Sequence, residues 1–143
     1  MTAPLFTQIF LILLTGTLLT RLWLARRHVR YVLGHRRQVP APFRGKILLK
    51  AHHKAADYTV SKTRFAMVAG VIDALLLLGW TLGGGLEFID QSVRAAGFGE
   101  LVTGTLFLLS VFLIIGLLDL PATVYQTFVI EQRFGFNHST PAL

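Results

Sequence analysis

An all-α integral-membrane fold follows from three features of this 143-residue sequence. It is 53% hydrophobic and only 15% charged, with a mean hydropathy of +0.60, a balance foreign to soluble domains. Its apolar residues gather into three long runs, Leu5 to Leu24, Phe65 to Leu82 and Leu101 to Leu120, of 20, 18 and 20 residues. Twelve of its fourteen Lys and Arg residues lie between Arg21 and Arg64, so the net charge of +7 is concentrated around one connection. The apolar content rules out disorder. The absence of cysteine removes disulfide frameworks, thiol nucleophiles and thiolate metal sites together, and leaves the redox compartment open.

Each run carries at most one charge, Arg21, Asp73 or Asp119. At about 1.5 Å per residue each is as long as a hydrocarbon core, roughly 30 Å. Backbone amides find no water there, so each run is expected to be a helix even where Val111, Ile114 and Ile115 would weaken helices in water. The first run has no basic region before it and no small-residue cleavage pattern after it. Its charges follow it, in Arg26, Arg27 and Arg30, as in a retained anchor with its N-terminus outside.

The whole chain, 1–143, then reads as one membrane domain with spans at about 5–24, 65–82 and 101–120. Residues 25–64 form a basic cytoplasmic connection. The loop 83–100, with Glu87, Asp90 and Glu100 against one Arg94, is external, and 121–143 are an apolar segment and tail on the cytoplasmic side. Either a bacterial inner membrane or the endoplasmic reticulum suits this orientation. A basic stretch held between two spans serves topology and attraction to anionic lipid, and it does not suit a nucleic-acid groove.

Ala25 to Val39 is expected to continue the first helix, weakened at Gly34 and broken by Pro40 and Pro42. From Phe43 a basic amphipathic helix is expected, with Ile47, Ala51, Ala55 and Tyr58 at helical spacing and Lys54 and Asp57 able to pair at i,i+3. Such a helix would rest on the inner leaflet, with Lys46, Lys50 and Lys54 toward the lipid surface. The alternative use of this surface is docking of a cytoplasmic domain.

Catalytic signatures are missing. His28, His35, His52, His53 and His138 include no i,i+4 pair and no H-E-x-x-H, and adjacent His52 and His53 point to different helix faces, so no metal ligand is assigned. No G-x-S-x-G or P-loop occurs, no catalytic residue is assigned, and Gly83-Gly84-Gly85 reads as a turn after the second span. Asp73 and Asp119 are the informative polar residues, because a carboxylate in lipid costs on the order of 2.5 to 3.5 kcal/mol. Asp73, about 12 Å along its helix from Phe65, is expected either to line a hydrated cavity or to be a hydrogen-bonded packing residue. Asp119 lies near the end of its span, where the interface is close. After Leu120, Pro121 fits a kink or the first turn of a new segment. Glu131 and Arg133 lead into Phe134-Gly135-Phe136-Asn137, where Gly135 permits a turn and two aromatics suit the membrane interface.

Taken together, His35-Arg36-Arg37-Gln38-Val39-Pro40, Phe43, His53-Lys54-Ala55-Ala56-Asp57-Tyr58-Thr59, Leu120-Pro121 and Ile130-Glu131-Gln132-Arg133-Phe134-Gly135-Phe136-Asn137 resemble one family. The chain is similar, from about Arg26 to Thr140, to the N-terminal membrane region of CAAX prenyl protease type 1 enzymes. These are integral-membrane zinc metallopeptidases related to the heat-shock membrane protease HtpX. His138-Ser139 stand where a basic residue commonly follows the motif asparagine.

The resemblance implies a full enzyme that cleaves peptide bonds near a prenylated cysteine, or in other membrane-associated proteins, inside a chamber ringed by helices. In that family further helices precede the H-E-x-x-H helix that binds zinc. This sequence holds neither, so zinc is expected in the full-length enzyme and no cofactor in this chain. It is expected to form part of the chamber wall and to be inactive alone, its partners being the bilayer and the remaining helices and catalytic domain, or oligomer partners. The competing expectation is a stand-alone membrane interaction protein whose basic amphipathic helix binds anionic lipid or a partner subunit.

Overall fold

The computed structural model describes residues 3–136, all in helices and short turns, with no strand among them. Helix α1 is Ala3–His35. A 3-10 turn, Ala41–Phe43, follows the Pro40 break. Then come α2, Leu49–Thr81; a short α3, Gly85–Arg94; and α4, Glu100–Tyr125, which widens into a π-helical turn at Gln126–Glu131. Three of these helices are long and apolar enough to cross a membrane.

The first two exceed the bilayer. Each has 33 residues, about 50 Å at the helical rise, against a hydrocarbon core of roughly 30 Å. The excess lies beyond the apolar runs, where α1 carries Arg26 to His35 and α2 carries Leu49 to Arg64. Gly34 is accommodated inside α1, since one glycine costs only about 1 kcal/mol in a helix.

Two expectations need correction here. The separate helix lying on the inner leaflet from Phe43 is not formed. The helix starts at Leu49 and runs without a break into the second span. A rod that crosses the bilayer projects from it, so Lys50 and Lys54 stand on a projecting helix while Lys46 belongs to the turn before it. The expected loop 83–100 also holds a helix: α2 stops at Thr81, the glycine turn follows with Gly84 at the left-handed φ of +80°, and α3 begins at Gly85.

The chain forms two compact units, Met1–Val71 with Gln126–Leu143, and Ile72–Tyr125. In the first, the buried apolar residues are Val29, Ala56, Val60, Ile130 and Phe134. In the second, α3 packs against α4, and Ile89 and Thr103 are buried. Large apolar residues such as Ile12, Leu75, Leu108 and Phe112 lie outward instead. Each would cost about 1.5 to 3 kcal/mol if left in water, so the surface of these rods is made for acyl chains and other helices. The protein is an integral membrane protein.

Candidate functional site

The residues that converge lie in the first unit, on the projecting ends of α1 and α2 and on the segment after α4. Arg36, just past the end of α1, reaches Asp57 on α2 with Nη2 at 2.6 Å from Oδ2. The neighbouring contact ties the same two elements: the His52 ring nitrogen Nε2 lies 3.2 Å from the His35 carbonyl, while His35 Nδ1 lies 2.9 Å from the Tyr31 carbonyl. Carbonyls at a helix C-terminus lack intrahelical donors, so a histidine N–H from a second helix satisfies one of them. The i,i+3 pairing of Asp57 with Lys54 is replaced by this longer-range pair with Arg36.

Between these elements lies a crevice of about 460 Å³. Its apolar lining includes Val32, Val39, Ala55 and Ala56, and its polar lining includes Arg44 and His52. Arg44 is held in place by its Nε, which donates to the Val39 carbonyl at 3.2 Å.

The third strand of the cluster is the turn after the π-helical segment. Gly135 has φ +66°; its N–H donates to Gln132 O at 3.0 Å, and the Phe136 N–H donates to Glu131 O at 2.9 Å. That pair of bonds around a left-handed glycine is a Schellman closure, which ends the helix and reverses the chain. Phe134 is buried by it. Both aromatics reach Tyr58 of α2, with ring centroids 5.5 Å away for Phe134 and 4.7 Å for Phe136. Lys54 Nζ stands 5.4 Å from the Phe136 centroid and Lys62 Nζ 5.7 Å from that of Tyr58, and the Arg133 guanidinium lies 5.9 Å from the Phe134 ring. Lys46, Lys50 and Lys54 are all exposed, and Lys54 also stands over the Phe136 ring of its own chain.

Of the other residues singled out in the sequence, Glu131 is half-buried beside the turn. Asp73 and Asp119 are exposed on α2 and α4, neither in an ion pair among the described residues. Asn137 and His138 lie outside the described residues. No group of three or more His, Asp or Glu that could hold a metal ion occurs among the described residues. Zinc thus fits none of the described side-chain sets. What the cluster does chemically is hold: an ion pair, a histidine on a helix end and three rings packed edge-on and tilted fasten segments far apart in sequence. Sequence reasoning placed each motif without its partner; the recurrence of several motifs in one chain was the signal that they belong together.

A family model described as CAAX prenyl protease N-terminal, five membrane helices, matches residues 28–143. The chain belongs to this family. Among its relatives, the CAAX prenyl protease 1 homolog of Mus musculus is 32% identical over 110 residues, covering 72% of this chain and 23% of the relative. The probable CAAX prenyl protease 1 of Schizosaccharomyces pombe is 26% identical over 132 residues, covering 83% and 27%. The Homo sapiens homolog is 33% identical over 97 residues, covering 61% and 20%. The chain thus spans about a quarter of the length of the curated relatives it matches. The CAAX prenyl protease match takes in every segment of the motif cluster, from the end of α1 to the turn at Gly135.

Proposed function

We propose that this chain supplies part of the intramembrane chamber wall of a zinc metalloendopeptidase of the CAAX prenyl protease type and is not catalytic by itself. Zinc, the general base and the remaining helices belong to polypeptide beyond the residues described. The substrate class is a peptide bond near a prenylated cysteine or in another membrane-associated protein. The observation that carries this reading is the convergence of the family's motif segments into one fastening cluster, joined to long helices with many large apolar residues exposed. In this reading the basic cluster lies in the cytoplasm and the N-terminus outside, because Lys and Arg are retained on that side.

Coexpression tests it. This chain is produced with the mouse relative lacking its own matching N-terminal region, and zinc-dependent cleavage of a farnesylated peptide is measured. Activity and copurification only when both polypeptides are present are expected. Equal cleavage by the companion alone, or failure of the two to associate, overturns the proposal.

A further inference from the structure

Helix α3 carries a face that its packing on α4 does not use. Successive helical residues are turned by about 100°, which sorts α3 into three stripes. Leu86, Ile89 and Val93 form one; Ile89 is buried and the other two are half-buried, as the packing of α3 on α4 requires. Glu87, Asp90, Gln91 and Arg94 form the second. They are joined along the helix by Gln91 Nε2 donating to Glu87 Oε1 at 2.8 Å and by Arg94 Nε at 2.6 Å from Asp90 Oδ2. Gly85, Phe88 and Ser92 form the third, on which Phe88 is 73% exposed.

That third stripe is chemically apolar. Gly85 has no side chain, and the Ser92 hydroxyl donates to the Phe88 carbonyl at 2.7 Å, so its only side-chain polar atom is satisfied within the helix. Phe98, in the segment before α4, and Leu101, in its first turn, are also exposed.

The tethers say what covers it. Residues 82–84 join α3 to the end of one membrane-crossing helix, and residues 95–99 join it to the start of the next. Three residues reach at most about 10 Å, so α3 cannot leave the edge of the hydrocarbon. A short helix with one charged stripe and an exposed phenylalanine, held at that depth, meets the conditions for an interfacial helix.

We infer that α3 is a membrane-surface anchor: Phe88, with Phe98 and Leu101, enters the headgroup and acyl boundary, while Glu87, Asp90 and Arg94 stay in water. The bilayer, rather than a protein partner, is the occupant because residues 82–84 and 95–99 tether α3 at the ends of two membrane-crossing helices.

The chain has no cysteine, so each single-cysteine variant carries one reporter. Phe88→Cys, Ser92→Cys and Glu87→Cys are labelled with bimane in phosphatidylcholine nanodiscs and quenched by aqueous iodide or by lipid spin-labelled near the headgroup. Labels at 88 and 92 are expected to be about threefold less sensitive to iodide than the label at 87, and to lose about half their emission to the spin-labelled lipid. Ser92→Cys changes one atom and keeps the reading available where Phe88→Cys fails to insert. Iodide sensitivity at 92 equal to that at 87 overturns the inference, as does shielding from both quenchers, which would mean that protein covers this face.

Discussion

At φ +66° Gly135 occupies backbone space that an L side chain enters at a cost, and the left-handed turn it makes is what brings Phe136 onto Tyr58. A Cβ there would meet Lys54 Nζ at 3.4 Å, an ordinary contact, so strain rather than collision sets the cost. Gly135→Ala is expected to lower stability by about 1 kcal/mol and Gly135→Asn by less, read as a shift in thermal unfolding in detergent. The turn was legible in the motif; the aromatic it serves was not. Asp57 gives the same lesson, because its nearest basic neighbour in helical register was Lys54, while its partner came from 21 residues away. Arg36 and Asp57 keep 41% and 39% of their side-chain surface exposed, so solvent screens the pair. A double-mutant cycle on Arg36→Ala and Asp57→Ala should return a coupling of about 0.5 to 1 kcal/mol, and zero coupling would mean the pair holds nothing. In α3, the hydrogen bond and charge of Asp90 raise the Arg94 pKa above its usual value. A group with a raised folded pKa contributes stability below its unfolded pKa and loses it only as pH climbs through the raised value. Arg94 therefore introduces no pH dependence near neutrality.

Among the elements, α2 shows most plainly where a local reading stops. Its first turns look amphipathic and basic and its second half looks like a span, and both windows proved helical from Leu49 onward. That both belong to one rod depends on the absence of any breaker between Leu49 and Thr81, since Gly70 and Gly79 lie within it and the next proline is Pro121. The rod ends tightly. A Cβ on Gly83 would stand 2.7 Å from the Gly79 carbonyl oxygen, a backbone atom that cannot swing aside. Gly83→Ala is expected to cost about 1 to 3 kcal/mol and to loosen α3, seen as faster amide exchange over 85–94. Pro121 proved to lie inside α4, which continues to Tyr125. Having no N–H, it leaves the Leu117 carbonyl without its usual helical donor, yet helical backbone continues through Tyr125 into the π-helical turn.

At the scale of the molecule, sparse burial is the governing fact: among the described residues seven are buried, six of them apolar, against dozens of large apolar residues facing out. Lipid accounts for much of that surface, but Asp73, exposed on α2, is costly in lipid. Asp73→Leu is expected to improve membrane insertion of the chain by about 2.5 to 3.5 kcal/mol on insertion scales. In the assembled protease, cleavage should fall if the residue lines a hydrated chamber; a gain in stability with activity intact would remove that role. Three apolar runs, the concentration of positive charge and the ordered motifs were all readable in one dimension, because transfer into lipid acts on each stretch separately. The pairing of Arg36 with Asp57, the seat of Phe134 and Phe136 on Tyr58, and the docking of α3 on α4 were decided only in three dimensions. They depend on how the connection folds back between rods, and that geometry is set by contacts between residues whose spacing along the chain carries no periodic signal.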